Sequence, residues 1–238
     1  MYYLRAIKLI KKIQMKRFTL LALSLIMALS LSAQNSIFFP QEGKTLNYQI
    51  TTKSVMGTQT VYSVQYSQID EDGDLVVTTD VYMSEEDDNP SQSMDVVYTR
   101  VENGYAVNFA DIMQKTMEAQ MPGLKIDEVE DDMVFPDKLS FGMTFPDLAL
   151  KIKAPIQGQE YEMNLTNCNR KVKESKEKVS VPAGEFECFV ITGDTIVTIM
   201  GMDQVTKSTE YYAEGVGLVK QVTEVAGATV TNELISVE

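Results

Sequence analysis

From residue 46 onward a turn signal recurs roughly every ten residues, and most stretches between two signals are runs of Thr, Val, Tyr and Ile. That rhythm constrains the fold more than any other feature. Parallel strands need a crossover, usually a helix, between successive members, and a spacing this short leaves no room for one. Residues 46–54 and 58–69 flank Gly57, and Asp70-Glu71-Asp72-Gly73-Asp74 leads into 75–84. The pairs Asp72-Gly73 and Asn103-Gly104 carry the residues that tight hairpins favour. Runs at 93–101, 105–109, 148–156, 160–172, 173–181, 185–199, 204–212, 217–225 and 228–237 extend the same pattern. The predicted class is all-β: an antiparallel meander forming a strongly curved sheet or half-barrel, with a β-sandwich as the alternative.

One helix interrupts the strands. Residues 110–120 (ADIMQKTMEAQ) are good helix formers, with Asp111 near the start and Pro122-Gly123 as a stop. Ile112, Met113, Met117 and Met121 share one face. Methionine suits adaptable apolar surfaces, so Met113, Met117 and Met121 are candidate lining for a ligand cavity under a helical lid. The alternative is that the helix completes the core and lids nothing. Further on, Met133-Val134-Phe135-Pro136-Asp137 is echoed by Met143-Thr144-Phe145-Pro146-Asp147. Proline removes a ladder donor and extends the residue before it, so both copies read as edge or crossover segments.

The first 33 residues are of another kind. Arg5, Lys8, Lys11, Lys12, Lys16 and Arg17 precede an uncharged apolar run over 18–31, which ends in Leu31-Ser32-Ala33. A basic stretch, an apolar stretch and small residues, in that order, make a secretory signal. The apolar run is short for a membrane span. Cleavage between Ala33 and Gln34 is expected, leaving 34–238 as a single β-rich domain with no stable membrane insertion; an uncut anchor helix is the alternative. No cysteine stands at the junction, which disfavours the lipoprotein route. The expected location is the periplasm or cell envelope.

Losing six basic and no acidic residues takes the formal charge from −13 to −19. Such a surface repels phosphate backbones and anionic headgroups, so no nucleic-acid partner is expected. Histidine and tryptophan are both absent. Without histidine, a Ser-His-Asp or Cys-His nucleophile and a His-ligated metal cannot be built. Carboxylate chemistry survives that exclusion but finds no motif. An EF-hand counted from Asp70 puts Leu75 and Val81 where glycine and glutamate are required. Glu128, Glu130, Asp131 and Asp132 form a second acidic run with no ligand spacing. The expectation is no enzyme, no cofactor and no metal. Cys168 and Cys188 are the two cysteines of a chain bound for an oxidising compartment, on segments that read as neighbouring strands. A Cys168–Cys188 disulfide is expected, with two buried thiols as the alternative.

Three blocks carry a family likeness. They are Val179-Ser-Val-Pro-Ala-Gly-Glu-Phe-Glu-Cys-Phe-Val-Ile191, Tyr211-Tyr-Ala-Glu-Gly-Val-Gly-Leu-Val-Lys220 and Phe141-Gly-Met-Thr-Phe-Pro-Asp147. Together they resemble the TapB-like exported proteins, a bacterial family built on the domain of unknown function numbered 3108, although Met143 replaces the usual polar residue. The resemblance runs over roughly 38–238, and the Ser32-Ala33-Gln34 junction is similar to export signals of Bacteroidota. It implies a curved all-β sheet with one helix, similar in outline to periplasmic carriers of lipoproteins and other apolar-ligand binders. It supplies no catalytic residues. Two functions follow as expectations: a non-catalytic binding or carrier module for an apolar or lipidated ligand, or a protein–protein interaction component of an envelope assembly.

Overall fold

Runs of β-branched and aromatic residues settle into extended backbone because alternate side chains can pack on one pleated face. The computed structural model describes residues 36–118, 125–126, 132–156, 159–225 and 227–238. The strands are β1 (Thr45–Ser54), β2 (Gly57–Ile69), β3 (Leu75–Tyr82), β4 (Gln92–Val101), β5 (Gly104–Asn108), β6 (Lys125–Ile126), β7 (Asp132–Pro136), β8 (Leu148–Ile156), β9 (Gln159–Val172), β10 (Glu177–Val181), β11 (Gly184–Ile199), β12 (Met202–Ala213), β13 (Gly217–Val225) and β14 (Ala228–Val237). Among the described residues one helix, α1 (Phe109–Glu118), follows β5. Asn108 caps it: its Oδ1 accepts a hydrogen bond from the Asp111 amide at 3.2 Å.

All strands join one antiparallel sheet in the order β6-β8-β9-β11-β12-β13-β14-β1-β2-β3-β4-β5-β7, with β10 lying beside β11. This is the curved meander, and with a single sheet the sandwich alternative falls. Two chain-distant elements meet at its middle. Thr45 and Glu238 exchange backbone hydrogen bonds of 2.9 Å in both directions, fixing β1 against β14. The sheet does not close: among the described residues no pairing joins its end strands β6 and β7. The two Pro-marked segments take the two roles expected of them. Residues 132–136 form the edge strand β7, while 143–147 cross to β9 with one isolated bridge, Thr144 to Lys171.

Packing draws together two arms of the sheet, β3, β4, β5 and β7 on one side and β8, β9, β11, β12 and β13 on the other. At one place α1 sets Phe109, Ala110 and Met113 on Leu148, Leu150 and Ile152 of β8 and Met163 and Leu165 of β9. At another, residues 37–39 lie between the arms, as described below. Gly104 shows how tight the β5–β7 contact is. A Cβ at that position would overlap the Phe135 carbonyl oxygen, so glycine is required there for close approach.

The expected disulfide does not form. Both cysteines are buried and free. Cys168 on β9 lies opposite Asp194 of β11, whereas Cys188 lies six residues earlier on β11, opposite Glu177 and Ala213. At about 3.3 Å per strand residue that offset is about 20 Å, far beyond the reach of a disulfide. The segments are neighbours, as expected, but β9 pairs with the far half of β11. Burial pushes the Cys188 thiol up to about 11, against a smaller downward pull from Lys176. It raises Cys168 as well, helped by Asp147 and Asp194. Thiol titration of the denatured, unreduced protein should therefore return two thiols, and both should react slowly in the native state at pH 8. A return of zero would contradict the register.

Candidate functional site

The cleft between the arms is lined from both sides. Leu75 and Val77 (β3), Tyr98 (β4), Tyr105 (β5) and Phe135 (β7) come from one arm; Val172 (β9), Phe189 and Ile191 (β11), Tyr212 (β12) and Leu218 (β13) come from the other. The filling is Ile37, Phe38 and Phe39, each less than 8% exposed. The Phe38 ring lies 4.9 Å from Tyr212, 5.2 Å from Phe135 and 6.4 Å from Phe145, all edge-on. Phe39 lies 4.6 Å from Tyr98, 5.4 Å from Phe135 and 5.7 Å from Tyr105. Centroid separations in this range, edge to face, are the arrangement that ring quadrupoles favour.

Residues 36–40 form no strand. Among the described residues a single hydrogen bond ties them to the sheet, from Ser67 Oγ to the Pro40 carbonyl at 2.8 Å. A second accommodation is conformational. Gly217, beside the Phe39 backbone, holds φ +110°, a conformation that favours glycine. The segment is thus a plug held almost wholly by side-chain burial.

Beneath the rings is a buried polar cluster. Arg170 Nη2 donates to Glu210 Oε2 at 3.0 Å, with both side chains close to nine-tenths buried. The guanidinium lies 4.8 Å from the centre of the Phe145 ring. Tyr212 donates its hydroxyl to the same Glu210 oxygen at 3.2 Å. Burial first, then the Glu210 charge, holds the Tyr212 hydroxyl well above its ordinary range. The strand between β9 and β12 makes this reach possible. Gly193 of β11 carries no side chain, and a Cβ there would come within 2.7 Å of Arg170 Cγ. A register shift between Thr192 and Asp194, opposite Asn169 at φ +56°, sets the arginine over it.

The three blocks that carry the family likeness converge here. Met143 and Phe145 come from the block at 141–147, Phe189 and Ile191 from that at 179–191, and Tyr212, Gly217 and Leu218 from that at 211–220. Other anticipated residues lie elsewhere. Met113 packs in the core under α1. The Met117 side chain, Met121 and the Ala33–Gln34 junction lie outside the described residues. A groove of about 280 Å³ beside α1 is lined by Val96, Val107, Asp111 and Ile112, among others, but not by Met113. Asp70 turns its carboxylate inward on its own loop, accepting from the Asp72 and Asp74 amides. Glu128, Glu130 and Asp131 lie outside the described residues, and among those described no group of three or more carboxylates and thiols is placed to hold a metal. No sequence signal marked Arg170 or Glu210, since 40 residues separate them and only the strand register joins them.

The sequence model described as DUF3108-like matches residues 41–224. Among curated proteins there is no match. Two solved structures share the fold. One, from Bacteroides fragilis, is described as exported and YmcC-like in fold; it is 16% identical, with a TM-score of 0.57, over 85% of this chain and 99% of its own. The other, from Parabacteroides distasonis, is described as a lipoprotein; it is 14% identical, with a TM-score of 0.56, over 86% and 99%. At such identities the likeness concerns fold alone.

Removing one member of a buried ion pair strands the other charge, whereas removing both can cost little. Arg170→Met should lower stability by about 3–5 kcal/mol in urea unfolding. Adding Glu210→Met should restore most of the loss. A double variant no better than the single would show that the pair is not coupled.

Proposed function

This chain belongs to the DUF3108-like family, and from that premise we propose that it is an exported, non-catalytic envelope protein that works by binding an apolar ligand against its sheet. The observation that carries this reading is the cleft itself. Two arms of one open sheet present facing aromatic surfaces, and the sheet's own strands do not fill the space between them. A strandless segment with one hydrogen bond to the sheet does. The descriptions of the two fold relatives as an exported protein and a lipoprotein support an envelope location. So does the basic, apolar and small-residue order of residues 5–33. The lack of histidine, which removes the commonest general base and metal ligand, supports binding over catalysis.

This reading moves the ligand from the space under α1, where Met113, Met117 and Met121 suggested it, to the cleft between the arms. A second reading, docking of a protein partner, has its own support. Val55 and Met56 at the β1–β2 tip are 97% and 95% exposed, and Met200 and Met202 at the β11–β12 tip are about 70% exposed. The antiparallel order sets both tips on one rim of the sheet. Exposed apolar residues at turn tips, where polar ones are usual, mark contact surfaces.

Native mass spectrometry of the protein isolated from its own envelope separates the two readings. Bound lipid or another apolar molecule at fixed stoichiometry is the expected result. A co-purifying protein with no small ligand would replace the carrier with the docking module.

A further inference from the structure

Resting on the apolar-ligand reading above, we infer that residues 37–39 are a resident self-ligand: they occupy the binding site, and a linear acyl chain binds by displacing them. The segment has the features of a ligand in a pocket. It contributes three apolar side chains, no strand, and one hydrogen bond to the sheet, from Ser67. Its Phe38 and Phe39 rings touch aromatic residues of both arms, so their departure would open a continuous apolar track past Tyr98, Phe135 and Tyr212.

An exposed ring stands at the border of this cluster. Phe141, 52% exposed, lies 5.4 Å from Phe189, which belongs to the same cluster as Phe38. The Lys176 ammonium, paired with Glu214, lies 4.5 Å from the centre of the Phe189 ring. Entry along this edge is part of the proposal. The charged pair bordering the site, Arg170 and Glu210, neutralises itself at 3.0 Å, so the cleft selects for an apolar chain and offers no net charge to a headgroup. The acidic exterior further disfavours an anionic ligand.

Self-occupancy makes apparent affinity depend on how often the plug is out, since a site that is open for only a fraction of the time binds weaker by that fraction. The test uses the chain from Gln34 onward and 1-N-phenylnaphthylamine, an uncharged apolar fluorophore, competed by monopalmitoylglycerol. Ser67→Ala removes the one hydrogen bond to the plug and leaves the ring surfaces intact; it should tighten binding about fivefold. Phe38→Ala with Phe39→Ala vacates the track and should tighten binding at least about tenfold. In the native chain, saturating monopalmitoylglycerol should open the buried Phe38–Phe39 bond to chymotrypsin. If the double alanine variant does not fold, Ser67→Ala and the cleavage result decide the matter. Equal affinities, or binding that leaves the Phe38–Phe39 bond resistant, would overturn the self-ligand while the apolar-binding reading survives at another site. No binding by any form would overturn both.

Discussion

The insertion of Phe38 and Phe39 between the arms is the interaction on which the rest of this structure depends. A long open sheet curled on itself has two inward apolar surfaces and no ladder to join its ends. Those surfaces must be covered by something other than strands, and water is the unfavourable choice. Burying one phenylalanine side chain stabilises by about 1.5–3 kcal/mol, with somewhat more from edge-on ring contacts. Two such rings, Phe38 between the arms and Phe39 against β4, β5 and β7, are a substantial fraction of the stability of an ordinary domain. α1 does the equivalent work at β8 and β9. The curl is therefore maintained by two inserted elements, one helical and one without regular structure, and of the two only the second is free of a hydrogen-bonded framework.

That asymmetry links stability to function. A helix capped by Asn108 and packed on Leu150 and Ile152 is a permanent part of the core. A segment tied by one hydrogen bond can leave without breaking a ladder. The polar cluster below it has a different part. Arg170 and Glu210 satisfy each other, and Tyr212 spends its hydroxyl on the same carboxylate while its ring meets Phe38. Buried pairs of this kind add little net stability but disfavour arrangements that would separate them. Here they fix β9 against β12 across Gly193, so the floor of the cleft stays in place whatever fills it.

Most of the strand pattern was legible in the sequence because turn chemistry and β-branched runs are local signals. Predicted strands such as 148–156, 217–225 and 228–237 coincide with β8, β13 and β14. The helix at 110–120 begins one residue earlier, at Phe109, because Asn108 caps it. What escaped was register and long-range placement. The expected Cys168–Cys188 bridge failed because neighbouring strands do not tell which residues lie opposite. Arg170 over Gly193 depends on a bulge that no local pattern announces. Residues 37–40 have no periodicity at all, so their burial is visible only once both arms are in position. Of the methionine stripe, Met113 packs on the core of β8 and β9, while the Met117 side chain and Met121 lie outside the described residues.

Amide hydrogen exchange on a chain shortened to begin at Gln41 tests most directly whether the plug holds the arms together. Losing Phe38 and Phe39 should lower protection in β3, β4 and β5 and in β9, β11 and β12 at the same time. The strands β14 and β1 between them should keep theirs, since neither contributes to the cluster around the rings. Native protection retained in both arms would show that the sheet curls without its plug, and would contradict the account.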